Sequence, residues 1–93
     1  MNDILLFERT DEMSGVTPFV RIERVYVKNG RLGVSVVSDC QQIDLYIGGE
    51  LRSRHKSSGT FQFDEELPAG GDITLRAESR NESKLFDEVS FTI

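Results

Sequence analysis

Residues 25–36 read Val-Tyr-Val-Lys-Asn-Gly-Arg-Leu-Gly-Val-Ser-Val. Apolar and other residues alternate on both sides of Asn29-Gly30. Period-two alternation marks a strand with one buried face. Asn-Gly supplies two residues that tolerate positive φ, as the central positions of a type I′ hairpin turn require. The stretch therefore predicts two antiparallel strands joined by a tight turn.

Upstream, the first strand extends through Phe19-Val20-Arg21-Ile22-Glu23-Arg24. Its apolar parity changes partway, from Val20 and Ile22 to Val25 and Val27. A bulge near Glu23–Arg24 would turn all four inward. Downstream, Leu32, Val34 and Val36 form the inward set of the second strand. Ser38-Asp39-Cys40-Gln41 is a polar break. Ile43, Leu45 and Ile47 then alternate with Asp44, Tyr46 and Gly48, and Gly48-Gly49 forms the next turn. Residues 51–56 carry Arg52, Arg54 and Lys56 on one side by parity, as expected of an edge strand protected by cations. Phe61 and Phe63, then Ile73, Leu75 and Ala77, then Val89, Phe91 and Ile93 mark three more strands. Leu67 adds to the inward set at the corner 67–71. The pattern predicts about seven short strands and no helix, hence an antiparallel sandwich or barrel. Residues 1–18 read as an N-terminal arm or linker, in which Ile4 to Phe7 can form a strand. The sandwich domain spans 19–93.

Composition sets limits. The chain has 93 residues, 38% apolar and 29% charged, enough for one modest core. Sixteen acidic residues face 11 basic ones, for a net charge of -5. That balance disfavours a nucleic-acid binder, which needs a basic surface. No apolar run approaches the roughly 20 residues of a membrane helix, so membrane insertion is not expected. The first eight residues lack the basic region and apolar length of a signal peptide. One cysteine, Cys40, cannot close an internal disulfide or supply a thiolate metal site, and no cofactor is expected.

Residues 43–49, Ile-Asp-Leu-Tyr-Ile-Gly-Gly, are followed by Ser58-Gly59-Thr60-Phe61-Gln62-Phe63 and by residues 67–79, Leu-Pro-Ala-Gly-Gly-Asp-Ile-Thr-Leu-Arg-Ala-Glu-Ser. This succession resembles the bacterial and phage immunoglobulin-like modules, over about four fifths of the chain. The resemblance implies an all-β, immunoglobulin-like antiparallel sandwich of about seven strands. It also implies a setting in a larger virion or cell-surface protein. The disulfide and packed Trp of antibody domains are missing. Residues 79–83, Ser-Arg-Asn-Glu-Ser, also depart from the "asp-x-x-gly-asn" loop of many adhesin repeats, so the family's calcium sites are not carried over.

Chemistry-bearing residues are sparse. A nucleophilic triad needs a histidine held by an acid. The single histidine, His55, lies in the cationic run and is expected to be solvated. Cys40 sits in a polar turn, with no neighbour in sequence that would lower its pKa. Asp64, Glu66 and Asp72 are the candidate calcium ligands, because a corner rich in oxygen can satisfy a hard cation. The glycine pairs lead into no helix and so make no phosphate loop. The reading is a non-catalytic interaction or spacer module, with a protein or glycan as partner. Its candidate contact residues are Tyr46, Arg52, Arg54, Lys56 and Arg76, since Tyr and Arg combine contact area with a polar tip. The alternative is a carbohydrate- or ligand-binding accessory domain of an enzyme. There a planar aromatic platform would be expected, and Trp is absent.

Overall fold

Asn29 and Gly30 adopt φ of 54° and 73°, so the turn that opens the sequence reading is formed as expected. The computed structural model describes residues 4–9, 19–80 and 85–93. Eight strands follow in order: β1 Ile4–Glu8, β2 Val20–Lys28, β3 Arg31–Ser38, β4 Gln42–Ile47, β5 Glu50–Lys56, β6 Gly59–Glu66, β7 Asp72–Ser79 and β8 Phe86–Thr92. All pairings are antiparallel. One sheet has the order β1-β2-β3-β6, the other β5-β4-β7-β8. The chain crosses between sheets after β3, β5 and β6. Strands β2 to β8 thus form an all-β antiparallel sandwich, and β1 adds an eighth strand beside β2.

The core follows the alternation. Ile22, Val25, Leu32, Val34 and Val36 come from one sheet, together with Phe61 and Phe63. They meet Ile43, Leu45, Ile47, Leu75, Ala77 and Val89 from the other. Val20, Leu67, Ile73 and Phe91 pack against this cluster from its rim, as do Leu6 and Phe7 of β1. Ile4 to Phe7 is therefore part of a strand paired in the first sheet; residues 10–18 of the expected arm lie outside the described residues.

The register of β2 against β3 shifts between Ile22 and Arg24, placing an extra residue where the parity changes. Asp87 of β8 reaches across to this bulge. Its Oδ2 accepts the Ile22 N–H at 2.8 Å and an Arg9 guanidinium N–H at 3.0 Å. A bulge leaves a backbone donor outside the ladder, and the carboxylate satisfies it.

Two expectations are corrected. Ile93 is 38% exposed, because it follows the last ladder pair and lies past the end of the core. His55 is half-buried: it faces inward opposite Ile43 and stacks on Phe63, centroids 4.3 Å apart. Strand β5 borders β6 of the other sheet, which brings the two rings together. Asp44 points outward as its parity predicts, yet it is only 5% exposed. Neighbouring long side chains cover it.

Candidate functional site

The outward face of the β5-β4-β7-β8 sheet carries the predicted contact residues. Tyr46 of β4 stands opposite Arg76 of β7 on one side and Leu51 of β5 on the other. Arg76 in turn stands opposite Glu88 of β8. Its guanidinium lies over the Phe86 ring, 3.7 Å from the centroid, and its Nε donates to Glu78 Oε2 at 3.1 Å. A cation held over a ring face gains from the ring quadrupole and keeps its apolar contact area on display. Phe86 is 52% exposed. Tyr46, Gly49, Thr74, Arg76, Glu78 and Glu88 line an open depression of about 300 Å3.

Arg54 lies two ladder pairs along from Tyr46, opposite Asp44. Its Nε is 3.7 Å from Asp44 Oδ1, and Arg80 Nε is 3.7 Å from Oδ2. Neither distance is a hydrogen bond, and Oδ1 has no hydrogen-bond partner among the described residues. Burial pushes the Asp44 carboxyl above its ordinary range; Arg80 and Arg54 oppose that shift, and Glu78 adds to it. Lys56 is exposed at the far end of the strand, opposite Gln42. Arg52 departs from the expected one-sided stripe. The β4–β5 register shifts between Leu45 and Tyr46, so Tyr46 pairs with Leu51, Leu45 with Ser53, and Arg52 is the extra residue. Its Nε is 3.8 Å from Glu50.

The basic stripe is therefore compensated. Arg52, Arg54 and Arg76 each have a carboxylate beside them, at Glu50, Asp44 and Glu78. The face offers shape and amphipathic area more than net positive charge. Sequence reading omitted Phe86 and Leu51. Phe86 opens the strand expected over 86–93 and shares the outward parity of Glu88, Ser90 and Thr92, but parity alone does not show its contact with Arg76.

The calcium candidates are occupied otherwise. Asp64 accepts the Arg31 Nε–H at 2.7 Å, and Asp72 accepts the Thr92 hydroxyl at 2.8 Å. Glu66 stands opposite Arg31 in the ladder. No group of three or more His, Cys, Asp or Glu side chains able to hold a metal ion occurs among the described residues, which include these three. Ser53 donates to the Glu65 carboxylate beside the His55–Phe63 stack. Cys40 is buried, its N–H donating to Ser38 Oγ at 2.9 Å. No helix among the described residues is long and apolar enough to cross a membrane. Compared with protein-family models and with curated proteins, the chain matches none.

Proposed function

We propose that this chain is a non-catalytic interaction and spacer module of a larger bacterial or phage surface or virion protein, and that a protein partner docks on the outward face of the β5-β4-β7-β8 sheet. The observation that carries the reading is the Tyr46–Arg76–Phe86 constellation. Two amphipathic side chains, Tyr46 and Arg76, and an exposed phenylalanine share a sheet face, and the cation is already stacked on the ring and bonded. Side chains fixed before contact lose less freedom on binding, and Tyr and Arg are the residues on which interface energies concentrate. The setting in a larger protein rests on the resemblance of residues 20–93 to the bacterial and phage modules.

The test is comparative capture. Wild-type domain is immobilised beside a variant carrying Tyr46→Ala, Arg76→Ala and Phe86→Ser, and beside a control changed on the other sheet at Thr60→Ala. Bound proteins are identified by mass spectrometry. The expected result is a protein retained by wild type and control and lost from the triple variant. Capture that is the same on all three surfaces contradicts the proposed face.

A further inference from the structure

We propose that the outward face of the other sheet, β1-β2-β3-β6, carries a saccharide-binding site whose platform is Tyr26. Gly33 stands directly opposite Tyr26 in the β2–β3 ladder. A Cβ at position 33 would lie 2.3 Å from Tyr26 Cζ and 2.4 Å from Cε2, so only a residue without a side chain lets the ring lie flat on the strand. The backbone at Gly33 is not in the left-handed region that favours glycine. Glycine inside a strand costs stability and packs nothing of its own. What it supplies here is the flat ring.

The ring is held in place. Gln62 Nε2 donates to Tyr26 Oη at 2.6 Å, and Ser35 Oγ donates to Gln62 Oε1 at 2.7 Å. The network runs across β2, β3 and β6, so the platform is fixed by the sheet before any ligand arrives. One ring face rests on the backbone. The ring also lines an open depression of about 460 Å3, walled by Leu5, Glu8, Arg24 and Lys28. Leu5 is 55% exposed and supplies an apolar edge. Arg24 is bonded to Glu8 through Nε at 3.1 Å and through an Nη at 2.8 Å, which sets a donor and an acceptor side by side.

This combination fits a neutral pyranose. The C–H groups on one face of a sugar ring carry partial positive charge from the neighbouring oxygens and meet the negative face of an aromatic ring. The hydroxyls around the sugar rim need both donors and acceptors, and Arg24, Lys28, Glu8 and Ser35 supply both kinds. A nucleobase would also stack on Tyr26, but the chain's net charge of -5 opposes a phosphate backbone, and of the two cations at the site Arg24 is already paired with Glu8. An open depression suits an oligosaccharide lying across the sheet better than an enclosed small molecule. The site lies on the opposite sheet from the proposed protein contact, so the two stand or fall separately.

The test is a titration of isotope-labelled protein, followed by amide chemical shifts. The probes are hexasaccharides of β-1,4-linked glucose, β-1,4-linked N-acetylglucosamine and α-1,4-linked glucose, with a proline-rich decapeptide alongside. The expected result is saturable shifts at Tyr26, Gly33 and Gln62 with at least one sugar at millimolar concentration, and none with the peptide. Affinity should fall about tenfold or more in Tyr26→Ala and measurably in Leu5→Ser, an exposed change that leaves the core intact. It should be unchanged in Tyr46→Ala. No shift with any of the three sugars overturns the proposal, as do shifts confined to the β5-β4-β7-β8 face or caused by the peptide alone. Undiminished sugar binding in both Tyr26→Ala and Leu5→Ser, each shown to be folded by its shift dispersion, overturns it as well.

Discussion

Asp87 joins the two sheets through one oxygen. Its Oδ2 takes the N–H left over at the β2 bulge and an N–H of Arg9. Replacing Asp87 with Ala strands a partly buried backbone donor, which costs about 1–3 kcal/mol. Asp87→Asn keeps a carbonyl acceptor and loses the charge, so its cost should be the smaller of the two. Urea unfolding midpoints of both variants check this. Equal losses would mean that the ion pair with Arg9, and not the bulge N–H, is the part that matters. Asp44 works in the opposite direction. Its carboxyl pKa is raised by burial, against the opposing pull of Arg80 and Arg54. Over the window between the ordinary carboxylate value and the raised one, the native state holds a proton that the unfolded chain has released. The stability linked to that proton is complete below the unfolded pKa and is lost as pH rises through the folded one. Asp44→Asn should therefore be the more stable protein at pH 7. Its advantage should vanish below about pH 4, where the aspartate is protonated in both states. Melting temperatures at the two pH values test the sign, and a variant less stable than wild type at pH 7 contradicts it.

At the scale of elements, the extra residue in β2 decides which side chains of that strand reach the core. Val20 and Ile22 precede it and Val25 and Val27 follow it. Deleting Glu23 would remove the extra residue, make the alternation strict and leave all four facing inward, because the bulge is what compensates the change of parity. The expected outcome is a retained cooperative thermal transition; loss of that transition would show that the bulge and its contact with Asp87 are needed for the fold. This feature was legible in the sequence because the apolar parity breaks at Glu23–Arg24. The bulge opposite Tyr46 was not, because β5 is polar on both faces and has no apolar parity to break. Arg52 was therefore placed on the wrong footing. His55 was read as solvated for a related reason. Alternation shows which way a side chain points within its strand, but not that β5 borders β6, where Phe63 waits. Asp44 shows the same gap: its outward direction was legible, while its burial depends on Arg54 from the next strand and Arg80 from a loop beyond β7. Of the candidate site, Tyr46 and Arg76 could be read from parity alone. Phe86 shares the parity of Glu88, Ser90 and Thr92 at the head of the strand expected over 86–93, so its direction was equally legible; its contact with Arg76 was not, because parity does not show which side chains of neighbouring strands stack.

Across the whole molecule, two sheets close one core and leave two outward faces of different chemistry. The first presents a flat tyrosine over a glycine among hydrogen-bonding groups. The second presents Tyr46, Arg76 and Phe86, with its arginines matched by carboxylates. That matching bears on how a protein partner would bind. Contact through compensated arginines depends less on ionic strength than contact through a net positive stripe, because screening acts on uncompensated charge. The chain's acidic excess keeps attraction to polyanions low on either face. Site-specific photo-cross-linking reads out whether a protein partner meets the second face. A photoreactive phenylalanine analogue is placed at position 46 or at position 60 in the protein within its native host. Tyr46 and Thr60 lie on outward faces of opposite sheets. The expected result is a discrete cross-linked protein product from position 46 and none from position 60; a product from position 60 alone, or from neither position, would overturn the proposed contact face.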